Sequence, residues 1–248
     1  MPWRPDADLR ALTGLVAPAA CAGCEAPGRR WCRRCAVELL AGGPRPWRPT
    51  PCPAGFPPTW SGPAYADAVR AGLVAWKEQD RVDLTAVLAP VLRDGVRAAL
   101  ACSADHRAAV AAGRPVAVVP APSARGSRRR RGRSPVRELA VAAVGRAVVL
   151  PALVLARPVQ DQAGLSAQGR AANLDRAVAL APRAARALAG IPCVVVDDVV
   201  TTGATLTECA RALREGGAGA VVAATLAATA RRGQPPSPDP LPRPGAAD

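Results

Sequence analysis

The run Val194-Val195-Val196-Asp197-Asp198-Val199-Val200-Thr201-Thr202-Gly203-Ala204-Thr205 narrows the possible folds of this chain more than any other stretch. Three β-branched residues make a short buried strand. Asp197 and Asp198 follow at its carboxyl end, where ligands of open α/β sheets bind. A hydroxyl-rich turn closes on Gly203, and the helical pattern Leu206, Ala210, Leu213 begins there and stops at Gly216-Gly217. Backbone N–H groups at a helix start carry partial positive charge, so Thr201, Thr202, Gly203, Ala204 and Thr205 are expected to hold a phosphate. The two aspartates then sit one strand-end away, placed for sugar hydroxyls or for a hydroxyl-bound Mg²⁺. The run reads as a ribose-phosphate site.

Three other readings compete. The strand could end in a merely solvated acidic turn, or carry a nucleotidase-type Asp pair. It could also be a Walker B strand, which needs a partner P-loop. Gly-x-x-x-x-Gly-Lys-Ser/Thr occurs nowhere, and Lys77, the only lysine, follows Val74-Ala75-Trp76 rather than a glycine loop. The sequence therefore argues against an ATPase.

A chain of 248 residues allows one large domain, or one medium domain with a small appendage. Hydrophobic residues make up 50% of it and aromatic residues only 3%, so the interior must be built from Ala, Val and Leu. No run approaches the roughly 20 apolar residues of a membrane span. The first residues, with Asp6, Asp8 and Arg10 spread through them, lack the uninterrupted apolar region of a signal peptide. A cytoplasmic location is expected. The net charge of +14 would suit phosphate, nucleic acid or acidic surfaces. One lysine beside abundant Ala, Arg, Gly and Pro also reflects GC-rich codon usage, however, so only local arginine clusters count.

Cys21-Ala22-Gly23-Cys24 and Cys32-Arg33-Arg34-Cys35 form two Cys-x-x-Cys knuckles separated by seven residues. Each knuckle lets two thiolates reach one ion, and Gly23 and Gly28 allow tight loops, which is the spacing of tetrahedral zinc. Two disulfides would suit a secreted domain, and an iron–sulfur cluster is the remaining rival. Four thiolates leave no open position for water, so a zinc held by Cys21, Cys24, Cys32 and Cys35 would be structural. Cys52 lies among prolines outside the paired spacing. Cys102, Cys193 and Cys209 fall in apolar surroundings and are expected in the core.

Residues 9–19 read as a short amphipathic helix, and 42–63 are rich in Pro and Gly, as a linker would be. Two helical patterns lie between Tyr65 and Leu100. Strands are expected at 114–120, near 153–155, at 193–198 and at 220–226, with a helix from about 135 to 149. Strands alternating with helices imply a parallel sheet. The proline-dense tail should be disordered. The expected organisation is a zinc-ribbon region and linker over 1–60, an α/β parallel-sheet domain over 61–230, and a disordered tail over 231–248.

Two further segments fit the ribose-phosphate reading. After the first strand, Pro120-Ala121-Pro122-Ser123-Ala124-Arg125 leads into Arg128-Arg129-Arg130-Arg131-Gly132-Arg133. A dense cationic loop emerges there at the sheet edge that carries the Asp-Asp turn, and arginine forks hold phosphate oxygens in bidentate fashion. Pyrophosphate is the natural ligand; a solvated basic loop or a nucleic-acid contact is the alternative. The segment from Arg157 to Asn173, with Asp161, Gln162, Ser166 and Arg170, is long and polar for a connection. It suggests a lid that excludes water from a reacting sugar.

Taken together, these residues resemble the ComF family, which couples a small zinc-ribbon region to a type I phosphoribosyltransferase fold. The resemblance runs in order over most of residues 9–230: the knuckles, Tyr65 through Trp76-Lys77, Val118 to Pro122, the arginine run with Gly132, Asp161-Gln162 to Arg170 and Asn173, and Val194 to Thr205. It implies that Asp197 and Asp198 face the ribose hydroxyls of phosphoribosyl pyrophosphate (PRPP) and fill the catalytic role. Thr201 to Thr205 would surround its 5′-phosphate, Arg125 and Arg129 its pyrophosphate, and Gln162, Arg170 and Asn173 would belong to the lid. Members of this family are associated with DNA uptake in natural competence. The chain departs from the family pattern at Arg133-Ser134-Pro135, where an aromatic and amide pair is usual, and near Val178, where an aromatic is usual.

In a transferase, loss of pyrophosphate from the anomeric carbon would leave an oxocarbenium-like sugar, stabilised by the acidic pair and by Mg²⁺ on the leaving group. His106, the sole histidine, lies in a polar segment and is expected at the surface, and the scarcity of histidine argues against Ser-His-Asp and Cys-His chemistry. Two classes remain. One is an enzyme that moves a phosphoribosyl group to an acceptor; the other is a PRPP-binding protein without turnover whose partners are single-stranded DNA or competence proteins.

Overall fold

A computed structural model of the chain describes residues 20–123, 132–157, 169 and 173–229. Its centre is a five-stranded sheet built from β1 (Arg45–Trp47), β2 (Thr59–Ser61), β3 (Ala117–Pro120), β6 (Cys193–Val200) and β7 (Val221–Ala228). The strand order is β1-β2-β7-β6-β3. All neighbours run parallel except β1, which pairs antiparallel with β2 at the edge. β4 (Leu153–Leu155) and β5 (Val178–Leu180) form a separate antiparallel pair.

Burial on both faces explains the unbroken apolar runs of β6 and β7. Side chains alternate across a strand. On β6, Val194 and Val196 enter one core with Leu226 of β7. That core also holds Leu39 of α1 (Arg33–Leu40), Trp76 of α2 (Asp67–Glu78), Leu88 and Leu92 of α3 (Thr85–Cys102), and Leu139 of α5 (Pro135–Val144). Cys193 and Val195 enter the other core with Leu188 of α6 (Ala184–Leu188) and Leu206, Cys209 and Leu213 of α7 (Ala204–Glu215). With so few aromatics, small side chains fill the middle: every residue of β7 is buried, and four of the eight are alanine.

Several expectations change in detail. The segment 42–63, expected as a linker, contains β1 and β2. Thr59, Trp60 and Ser61 are buried against β7, and Thr225 Oγ1 donates to Ser61 Oγ at 2.9 Å. Proline is tolerated on an edge strand, which is where Pro46 sits. The expected helix 135–149 stops at Val144 because Gly145 turns the backbone to φ 87°. The strand expected at 193–198 runs on to Val200, so both aspartates lie inside it rather than at its end. The helix α4 (Ala104–Ala111) was not expected, nor were β5 and α6. The expected helix at 9–19 and the tail at 231–248 lie outside the described residues. Among the described residues, no helix is long and apolar enough to cross a membrane.

His106 of α4 corrects the surface expectation: it is fully buried. Its Nε2 lies 3.2 Å from Cys193 O and its Nδ1 2.8 Å from Ser103 Oγ. A carbonyl only accepts, so Nε2 carries the proton and the Ser103 hydroxyl donates to Nδ1. Both ring nitrogens are then satisfied, which makes the histidine a bridge from α4 to the start of β6. Cys102 is also corrected. It ends α3 in an exposed position, whereas Cys193 and Cys209 are buried as expected.

Candidate functional site

The knuckles come together as their spacing predicts. The sulfurs of Cys21, Cys24, Cys32 and Cys35 all lie within 4.8 Å of one another. Cys21 and Cys35 stand 3.7 Å apart and Cys24 and Cys32 3.6 Å. Four thiolates about 2.3 Å from one ion in a tetrahedron would be separated by about 3.8 Å, whereas disulfide sulfurs approach to about 2.0 Å. The cluster thus fits one thiolate-bound ion such as zinc. Its electrostatics favour the same reading. Burial opposes ionisation of Cys21, but backbone N–H groups of Cys32, Gly23 and Cys24 bring its thiol down to about 6. Cys35 is pushed up, first by burial and then by its three sulfur neighbours, and a cation is what would release its proton. Cys52 stands outside the cluster, with its sulfur directed at Pro53 O.

At the carboxyl half of β6, adjacent residues face opposite sides of the sheet. Asp198 faces the helical layer of α2 and pairs there with Lys77. Its side chain is 8% exposed and that of Lys77 36%. Asp197 faces α7, where its charge and that of Glu208 add to burial in raising the Cys209 thiol. The Asp198 N–H donates back to Asp197 Oδ1 at 2.9 Å. Burial pushes the Asp197 carboxyl well above the usual range, and the neighbouring Asp198 charge adds to this against the pull of Lys77. Burial acts on Asp198 too, but the attraction and hydrogen bond of Lys77 outweigh it and hold that carboxyl low. The pair is therefore unequal: Lys77 favours the charged form of Asp198, and the Asp197 carboxyl lies above the usual range.

Beyond Val200 the chain bends through Thr201 and Thr202 to Gly203, whose φ of 79° is left-handed and favours glycine. A Cβ there would also strike the Phe56 ring at 2.6 Å, so the proline-rich segment closes over the loop. Phe56 is itself backed by Trp47, edge to face at 6.1 Å. Ala204 starts α7, and its N–H points to Thr202 Oγ1 at 3.4 Å. Asp197, Asp198, Thr201, Thr202, Gly203, Ala204 and Thr205 thus form one continuous strand, turn and helix start. Asn173, expected in the lid, lies beside Leu174, which packs with Ala177 against Ala204. Glu208 and Arg211 on the exit side of the loop clamp β5, accepting from Val178 N–H and donating to Val178 O at 3.2 and 2.7 Å.

The expected pyrophosphate residues Arg125 and Arg129, and the expected lid residues Gln162 and Arg170, lie outside the described residues. A cleft of 710 Å³ opens at the end of β3, between Pro120 to Ser123 and Gly132 to Glu138, the two roots of the arginine loop. Neither aspartate lines it. Arg133, the last member of the arginine run, lines this cleft but is held by other partners. It is 10% exposed, ion-paired with Asp80 and Glu138, hydrogen-bonded to Trp76 O and stacked over the Trp76 ring at 5.8 Å. Lys77 was the residue missed as a partner of the site. Its signal was its singularity, read from the sequence only as part of the family resemblance and as evidence against a P-loop.

The family model of the phosphoribosyl transferase domain matches residues 130–241, which takes in β6, the acidic pair, the turn and α7. No curated protein matches the chain. Fold and match together define an α/β chain with a type I phosphoribosyltransferase-like domain, preceded by a four-cysteine cluster able to hold a metal ion.

Proposed function

We propose that this chain is a ComF-like protein that binds PRPP at the Asp197 to Thr205 loop and transfers its phosphoribosyl group to an acceptor. The observation that carries the reading is that a helix start with a left-handed glycine follows the acidic pair directly, inside the segment that matches the phosphoribosyl transferase domain. N–H groups of that helix start suit the 5′-phosphate, and the aspartates suit the ribose hydroxyls. Arg125 and Arg129 would take the pyrophosphate, with Gln162, Arg170 and Asn173 in the lid. The organisation proposed is a zinc-ribbon region at the start of the chain, a phosphoribosyltransferase-like domain up to 230 that also takes in β1 and β2 from the segment expected as a linker, and a tail beyond it, in a cytoplasmic protein.

In the transfer, the bond from the anomeric carbon to the pyrophosphate oxygen breaks, its electron pair leaves with pyrophosphate, and the acceptor's lone pair forms the new bond. Asp198, held ionised, stabilises positive charge growing on the sugar. Asp197, its neighbour on the strand, suits a hydrogen bond with a ribose hydroxyl. Mg²⁺, when bound, would neutralise the diphosphate. Asp197 and Asp198 would hold the ion through the ribose hydroxyls. His106 is enclosed in the α4 contact and supplies no base. Zinc held by Cys21, Cys24, Cys32 and Cys35 would support folding and supply no atom to the transfer.

The second reading, PRPP binding without turnover in a protein that handles single-stranded DNA, is favoured by the arginine run at 128–131. Arg133 does not contribute to it. Pyrophosphate release from PRPP, measured across a panel of nucleobases, separates the two. Release with any acceptor supports transfer, and PRPP binding without release supports the second reading.

A further inference from the structure

One helix touches both the cysteine cluster and the acidic pair. Near its start, α2 receives the cluster. The Ala68 N–H donates to Glu38 Oε1 at 3.1 Å, and Ala68 is buried with Cys21 and Cys35. Trp31, from the loop between the knuckles, lies so close that a methyl group on Gly72 would enter its ring. Near its end, α2 presents Lys77 to Asp198. At 1.5 Å per residue, Ala68 and Lys77 are about 14 Å apart, too far for the cysteines to act on Asp198 directly. Val69, Leu73 and Trp76 lock the helix between them into the core.

Composition supplies an independent observation. The chain has 33 lysine and arginine residues, and Lys77 is the only lysine. Wherever either cation would serve, this chain has arginine. The ammonium is kept at the position that meets a nearly buried carboxylate, where a compact charge differs in kind from a planar fork.

We propose that Lys77 is a positioning residue of the ribose-phosphate site, holding the Asp198 carboxylate, and that docking of the cysteine knuckles on α2 sets where Lys77 stands. The consequence for ligand rests on the PRPP reading above; the placement of the lysine does not. Trp31 and Glu38 fix the front of α2, the core fixes its middle, and the rear then delivers one ammonium to one carboxylate. The knuckles thereby act on the site without contributing an atom to it.

The single lysine is its own reporter. Full-length chain grown with ¹³Cε-lysine gives one side-chain resonance, which can be followed in wild type, Trp31→Ala and Asp198→Asn. Both variants should move that resonance. PRPP affinity with Mg²⁺ should fall roughly tenfold in Lys77→Met and in Trp31→Ala, with little further loss in the double variant, because both act through the same lysine. A lysine resonance unmoved by Trp31→Ala, or a Lys77→Met chain that binds PRPP as wild type does, overturns the proposal. If Trp31→Ala does not fold, Gly72→Ala, which displaces the ring instead of removing it, is judged by the same criteria. Absence of PRPP binding by wild type would overturn the phosphoribosyl reading, and the lysine resonance would still decide whether the knuckles place Lys77.

Discussion

Removing Lys77 should cost more stability than neutralising the carboxylate it faces. The Asp198 side chain is 8% exposed and Lys77 36%. Breaking a buried ion pair by deleting one partner costs about 3–5 kcal/mol, because the other charge is left uncompensated. Lys77 is more than a third exposed, so water screens part of its attraction, and Asp198 can take up a proton. Both reduce the expected cost of Lys77→Met to about 1–2 kcal/mol. Asp198→Asn removes the buried charge and its repulsion with Asp197 together, and should cost less than about 1 kcal/mol. The double variant should recover most of the Lys77→Met loss, giving a coupling of at least about 1 kcal/mol. Urea unfolding at neutral pH on all four proteins measures this, provided the denaturant slopes agree. Additive costs, or Asp198→Asn as damaging as Lys77→Met, would refute the buried-pair reasoning.

Elemental analysis of the purified chain should find one zinc, lost when Cys32 is replaced by serine; an iron–sulfur absorption band or no metal contradicts the assignment. Burial holds the His106 imidazole below its usual value of 6.5. The unfolded chain therefore takes up a proton first, and stability should be full above that value. It should decline as pH falls below it, by up to about 1.4 kcal/mol per pH unit for one group. Urea midpoints from pH 7.5 to 5.5 check this, and a His106→Gln chain that keeps the same slope would show that another group causes it. Single-stranded DNA should bind the chain only at low salt if the arginine run meets phosphates, since few aromatics are available to stack on bases. Binding unchanged at high salt would point elsewhere.

The parts of the fold readable in the sequence are those set by local pattern. Val194 to Val196, Leu206 to Leu213 and the four cysteines have short-range periodicity or spacing that allows few arrangements, and the strand, helix and cluster are there in the structure. What escaped depends on contacts distant in sequence. Thr59 to Ser61 become a strand because β7 offers them a parallel edge, not because three residues among prolines have strand propensity. His106 is buried by the carbonyl of Cys193, and a polar local context concealed that. Within the candidate site, adjacent aspartates read as one acidic patch. Strand geometry instead sends them to opposite faces, and a lysine 121 residues earlier pairs with Asp198.

Calorimetry of PRPP with Mg²⁺ against wild type, Asp198→Asn and Thr202→Val tests the account most directly. Wild type should bind. Each variant should lose about 1.5–3 kcal/mol, roughly ten- to a hundredfold in affinity, through a lost carboxylate contact to ribose in one and a lost hydroxyl contact to phosphate in the other. Equal affinities in all three proteins, or no binding by wild type at millimolar PRPP, would contradict the assignment of this loop.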